Sequence, residues 1–250
     1  LCRQLGGDPV VSMRKYLGDV FSLDEDIGRL LKRIDELGLR ENTIVAFSSD
    51  QGPGGLRLGN GEEGAAAATK KKKKARTGAN EDTRVNQMGY SGDLRGGKHN
   101  QYEGGVRTPF IIRWPGHVPA GRIDEKSNVS GIDWLPTLCR ITGTTIEDAD
   151  FDGEDVSAAW LGGTHTRTKP LLWKTSNARA AVSIREGPWK LHDGSRRSDA
   201  VELYDLSRDP GERKNVAAQN PAIVSALKAK AEKWNASLPK DYLKTGEPEN

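Results

Sequence analysis

The chain has 250 residues, 35% hydrophobic and 29% charged, with 38 basic against 35 acidic side chains and a net charge of +3. That length admits one sizeable domain, or a domain with a small appendage. No window approaches the roughly 18 consecutive apolar residues of a membrane helix, "LCRQLGGDPVV" lacks the basic start and apolar middle of a signal peptide, and Cys2 and Cys139 form neither a disulfide framework nor a zinc-site spacing.

Ser22 to Leu37 carries the clearest helical signal. Leu23, Ile27, Leu30, Leu31, Ile34 and Leu37 recur at helical spacing, Ser22 with Glu25 reads as a capping box, and Gly38 ends the run. "TIVAFSSD", residues 43–50, is β-branched and apolar without alternation, the pattern of a central parallel strand covered on both faces. From about 54 to 92 the chain changes character, with an Ala run, Lys70 to Lys74 in succession and few large apolar residues. It is expected to be a mobile insertion, because it cannot bury enough surface to offset the entropy of ordering. Residues 60–80 hold six basic against two acidic side chains, so the basic surplus of the whole chain belongs to this one loop.

"FIIRW" at 110–114 is a second buried-strand signal. "DWLPTLCRITG" follows as a short helix, with Asp133 near its cap, Pro136 in its first turn, Gly143 past its end and Cys139 expected as a buried thiol beside Leu135 and Leu138. After Gly163, "PLLWK", "ARAAVSIRE", "PWKLH" and "VELYDL" are short strand candidates separated by turn residues, which predicts a small antiparallel sheet. Asn220 and Pro221 open a last amphipathic helix through Ile223, Val224, Leu227, Ala231 and Trp234. The division expected is 1–163 for an α/β unit and 164–250 for a smaller one.

Two places could carry chemistry. The strand at 43–50 runs into Asp50, Gln51, Gly52 and Pro53, and ligands in open α/β sheets collect beyond the carboxyl ends of strands. A carboxylate beside an amide carbonyl offers hard oxygens suited to Ca²⁺ or Mg²⁺, although an Asp before Gly-Pro is equally at home as a turn cap. In "RGGKHNQYEGGVR", Gly96 and Gly97 allow close approach of the backbone, and Lys98 would give a compact positive charge for an oxyanion. A lone lysine in such a loop is more often solvated surface, and His99 alone reads as a polar neighbour. Glu103 and Arg107 read as an ion pair bracing the turn.

Taken together, "SSDQGP", "LRGGKHNQYEGGVRTPFIIRWPG", "GIDWLPTLCRITG", "FDGEDVSAAWLGG", "REGPWKL" and "ELYDLSRDPGERKNVA" resemble, in order and interval, the C-terminal half of the type I sulfatases of the alkaline-phosphatase-like superfamily. The resemblance implies an α/β fold, part of a sandwich with a mainly parallel sheet, plus a small C-terminal antiparallel sheet with a terminal helix. It implies sulfuric ester hydrolysis on sulfated sugars or aryl sulfates, one Ca²⁺ ion held by Asp50 and Gln51, Lys98 as the catalytic contact to the sulfate and leaving oxygen, and His99 beside it at the substrate. It also implies an extracytoplasmic compartment: periplasmic, secreted or lysosomal.

The family's nucleophile is a formylglycine made from Cys or Ser in C/S-x-P-x-R. Neither "CRQLG" at Cys2 nor "CRITG" at Cys139 has the proline or arginine, and "SLPKD" at Ser237 ends in Asp241. The chain is therefore expected to be a truncated half, a split gene product or a remnant, and not to turn over sulfate esters by itself. The alternatives are a phosphoesterase of the same superfamily, a non-catalytic remnant, and a polyanion-binding module built on Lys70 to Lys74. The last has no interleaved aromatics, so nucleic acid is not an expected partner.

Overall fold

The computed structural model describes residues 11–54, 91–147, 150–174, 182–194 and 200–239, with side chains of the first helix described from Tyr16 onward. Cys2, the lysine run and nearly all of the expected insertion lie outside the described residues.

Helix α1 spans Val11–Glu36, starting a full eleven residues before the Ser22 capping pattern. Tyr16, Leu17 and Val20 extend the apolar spacing N-terminally, and a capping sequence sets no boundary when the turn before it is already helical. At the other end Gly38 takes φ +69°, and the Leu39 N–H closes on the Ile34 carbonyl at 3.1 Å. The apolar stripe is open to solvent, with Leu23, Leu30 and Leu37 each more than half exposed.

Strands β1 (Val45–Ser48) and β2 (Phe110–Arg113) pair antiparallel, from Val45 opposite Arg113 to Ser48 opposite Phe110. The 43–50 run, expected as a parallel strand, thus has an antiparallel neighbour in β2. The chain leaves β1 at the same edge where β2 begins, because residues 98–105 are hydrogen-bonded back onto the turn after β1, and a return at that edge can only run the other way. Neither strand is covered on both faces: Phe47 and Ile111 are exposed. Arg113 ties the pair to α1 through Asp35 at 2.8 Å.

A single helical turn, α2 (Glu103–Val106), precedes β2. Helix α3 (Trp134–Thr142) follows a 3-10 turn whose capping box joins Ser130 and Asp133, and it ends at Gly143 with φ +69°. Its buried residues are Pro136 and Thr137, whereas Leu135 is exposed and Cys139 only half-buried, so the expected apolar face is displaced by one position. Thr137 turns inward because its hydroxyl accepts the Val156 N–H at 3.0 Å. Helix α4 (Ser157–Trp160) brings Trp160 against Trp134 and Phe110, with ring centroids 5.4 to 6.0 Å apart.

Two carboxylates fasten this region. Asp133, fully buried, accepts from the N–H groups of Ser130 and Glu154 and pairs with Arg167. Glu154 accepts the N–H groups of Thr168 and Lys169, both at 3.0 Å, with the Thr168 hydroxyl and His165 beside it. Burial alone would raise the Glu154 pKa, but these donors take it down from 4.5 to about 2. A depressed carboxylate stabilises the fold above its unfolded pKa and loses that contribution as pH falls through the folded one. Glu154→Gln is expected to cost about 2–3 kcal/mol at neutral pH and to flatten the stability loss between pH 4.5 and 2. Urea unfolding across that range checks this, and a variant as acid-sensitive as the parent would contradict it.

The C-terminal residues form the expected antiparallel meander of β3 (Leu171–Lys174), β4 (Val182–Glu186), β5 (Trp189–Asp193) and β6 (Val201–Asp205), in that order. Helix α5 (Pro221–Ser237) starts at its proline and packs Leu227 and Ala231 on Val182, Ile184, Leu191 and Leu203. The opposite face of the sheet carries Ser183, Arg185, Lys190, His192, Glu202 and Tyr204. Several of these polar residues have almost no exposure, and what covers them is the loop that bears Lys98.

Candidate functional site

The turn after β1 and the glycine-rich loop before β2 are joined backbone to backbone. Gly52 donates its N–H to the Gly105 carbonyl and Lys98 donates its own to the Pro53 carbonyl, both at 2.8 Å. The approach is too close for any side chain at Gly52, where a Cβ would stand 1.8 Å from the Gly104 oxygen. At Gly105 a Cβ would stand 2.1 Å from the Asn100 oxygen, so the spacing of glycines in the two segments is a packing requirement.

This contact places the residues singled out from the sequence. Asp50 is exposed and Gln51 half-buried, and the Gln51 side-chain N–H donates to the Asp50 carboxylate at 2.9 Å. That hydrogen bond, with a smaller contribution from the positive charge of Lys98, holds Asp50 below the usual carboxylate range. Lys98 is exposed, and its Cδ lies 3.6 Å from where a Cβ added at Gly54 would stand. His99 is also exposed and sits in the left-handed region at φ +70°, unusual for a residue with a side chain. Asp50, Gln51 and His99 share the wall of an open groove of about 2640 Å³ with Arg107, Arg122 and Arg185; Lys98 is not on that wall.

Among the described residues no group of three or more His, Cys, Asp or Glu side chains could hold a metal ion. Asp50 and Gln51 offer hard oxygens, which suit Ca²⁺ by chemistry, but they account for only part of the six to eight oxygens such an ion takes.

Glu103 does not pair with Arg107. Gly104 and Gly105 close a helical turn in which the Arg107 N–H donates to the Glu103 carbonyl, sending the Arg107 side chain into the groove. Glu103, 1% exposed, instead meets Lys190 at 2.8 Å and Arg185 at 3.4 Å. Lys190 also faces Glu212 at 3.5 Å, and Glu212 meets His192 at 2.9 Å. Burial pulls the His192 imidazole below its ordinary pKa, opposed by the hydrogen bond it donates to Glu212. Two buried carboxylates thus face two cations, and the neutral imidazole adds no charge. Residue-by-residue reading missed this network. The signal was there in the period-2 placement of Lys190 and His192 within "PWKLH", opposite Ser183 and Arg185 on the neighbouring strand.

The chain matches the family model described as Sulfatase over residues 5–144, and the one described as N-sulphoglucosamine sulphohydrolase, C-terminal, over residues 97–237. It is 33% identical to arylsulfatase A of Homo sapiens, over 87% of this chain and 43% of that protein. It is 32% identical to N-acetylgalactosamine-6-O-sulfatase of Bacteroides thetaiotaomicron, over 84% and 40% respectively. A structure solved with D-glucosamine-2-N,6-O-disulfate, described as its substrate, matches with TM-score 0.59 and 26% identity over 90% of this chain and 40% of its own. The chain therefore spans about two fifths of the length of these relatives. Its mixed helices and sheets follow part of their α/β, alkaline-phosphatase-like architecture. Matched by a family model across more than half of its length and by relatives across nearly all of it, the chain belongs to the sulfatase family.

Proposed function

We propose that residues 1–163 carry the metal and anion contacts of a sulfuric ester hydrolase, with 164–250 as a smaller unit packed behind them. Asp50 and Gln51 would hold one Ca²⁺ ion, which when bound supplies positive charge against the sulfate oxygens. Lys98 would offset the charge developing on the leaving oxygen, and His99, on the groove wall, would contact the substrate. The observation that carries this reading is the pair of backbone hydrogen bonds that seats the Lys98 loop on the Asp50 turn, close enough for the lysine charge to be felt at the carboxylate.

The substrate class proposed is a sulfated sugar or aryl sulfate, in keeping with relatives named arylsulfatase and N-acetylgalactosamine-6-O-sulfatase. Five arginines, Arg40, Arg107, Arg113, Arg122 and Arg185, line the groove with His99 and suit an anionic substrate. An extracytoplasmic location belongs to the same proposal. No helix among the described residues is long and apolar enough to cross a membrane.

Because no C/S-x-P-x-R motif stands in the chain, binding tests this reading rather than turnover. Calorimetric titration with Ca²⁺ is expected to show one site, and Asp50→Asn to weaken it about tenfold or more, since a ligating carboxylate loses its charge. Unchanged affinity in the variant would refute the assignment. Inorganic sulfate and phosphate titrated in parallel separate a sulfatase-type site from a phosphoesterase-type one.

A further inference from the structure

Residues 101, 102 and 103 begin three positions after Lys98, and each is held by a different strand of the C-terminal sheet. The Ser183 hydroxyl on β4 lies 2.7 Å from the Gln101 side-chain oxygen. The Tyr102 hydroxyl donates to Glu202 on β6 at 2.9 Å, while the Arg95 guanidinium covers the Tyr102 ring at 3.9 Å and pairs with the same Glu202. Lys190 on β5 grips the Glu103 carboxylate, and Glu212, just past β6, accepts the Glu103 N–H at 2.6 Å.

Ser183, His192 and Glu212 stand in the order of a nucleophilic relay, with Ser183 Oγ 2.6 Å from His192 Nδ1 and His192 Nε2 2.9 Å from Glu212. Ser183 has no exposed surface, and its hydroxyl is covered by Gln101, so no substrate reaches it. The relay ends on the loop. Its effect is to couple one carboxylate, Glu212, to the loop at two points: directly at the Glu103 N–H, and through His192 and Ser183 at Gln101.

We infer that Ser183, Lys190, His192 and Glu212 are positioning residues for Lys98, acting from outside the groove through the backbone of residues 101–103. The inference rests on the assignment of Lys98 to the anion site and adds to it: the C-terminal sheet helps to set where the lysine stands, because three of its strands grip residues 101–103 in addition to the loop's backbone ties at Gly52, Pro53 and Arg95. A charge-assisted bond to a buried N–H is among the stronger single anchors available to a loop.

Amide hydrogen exchange on the full chain tests this in Ser183→Ala and Glu212→Gln. The expected result is exchange at the Lys98, Gly104 and Gly105 N–H groups about tenfold faster in either variant, with Ile184, Leu191 and Leu203 essentially unchanged. Should Glu212→Gln fail to fold, Ser183→Ala and Tyr102→Phe decide alone. Unchanged loop exchange, or a rise shared equally by the sheet, overturns the inference. Titration of the same proteins with inorganic sulfate in Ca²⁺ is expected to give severalfold weaker binding in the variants. Equal sulfate binding despite a loosened loop also overturns the positioning role. Absence of sulfate binding in the parent chain would instead count against the function proposed for Lys98, leaving the grip to be judged by exchange.

Discussion

Lys190→Met is expected to lower the free energy of unfolding by about 3–5 kcal/mol, the usual cost of removing one partner from a buried ion pair. The ammonium has no exposure and lies between the Glu103 and Glu212 carboxylates, themselves 1% exposed. Without it, two like charges share a dry site with only Arg185 to balance them. One carboxylate must then take up a proton or draw in water. A second variant keeps the expectation interpretable: Lys190→Met combined with Glu103→Gln removes one charge of each sign and is expected to recover a large part of the loss. Urea unfolding of the single and double variants measures both. Equal losses in the two would show that packing rather than charge makes Lys190 costly to replace.

Gly52→Ala is expected to be nearly as damaging, for a steric reason. Its Cβ would lie 1.8 Å from the Gly104 oxygen and 2.9 Å from the Gly105 Cα, and backbone atoms cannot step aside as a flexible side chain can. The two segments must part, which breaks the Gly52 N–H bond to Gly105 and carries the Asp50 turn away from the Lys98 loop. A loss of about 3 kcal/mol or more is expected, in the range of severe overpacking. If the turn bears the metal, Ca²⁺ affinity falls in the same variant. The control is Gly54→Ala, where the nearest atom to the added Cβ is the Lys98 Cδ at an ordinary 3.6 Å, so stability should change little. Equal effects at the two glycines would remove the basis for the close approach described here.

Local patterns gave away most of the elements. The four C-terminal strands and the final helix stand where β-rich runs, turn residues and the Asn220–Pro221 start put them, because a small antiparallel sheet covered by one helix obeys near-neighbour rules. Strand direction at β1 and β2 was not legible in the same way. "VAFS" and "FIIR" lack alternation, which speaks of burial and says nothing about orientation. Their antiparallel pairing follows from contacts between residues 50–54 and 96–105 that no periodicity encodes.

The candidate site was legible only in part, for a similar reason. The resemblance to sulfatases pointed to Asp50, Gln51, Lys98 and His99, and the structure brings the two segments together while leaving Lys98 off the groove wall. The partner of Glu103 could not be guessed from neighbours in sequence. Arg107, four residues on, is the obvious candidate, but the helical turn between them points it away, and the true partner is 87 residues distant. A lysine on the same face as a histidine in a short strand of the C-terminal sheet was the clue to a buried counter-charge.

The most direct test of the account is a double-mutant cycle on sulfate binding. Inorganic sulfate is titrated against the parent chain, Asp50→Asn, Lys98→Met and the double variant, in saturating Ca²⁺ and in chelator. The account predicts Ca²⁺-dependent binding with the two substitutions coupled by about 1 kcal/mol or more, as groups sharing one ligand are. Losses that simply add, or sulfate binding indifferent to both residues and to Ca²⁺, would contradict it.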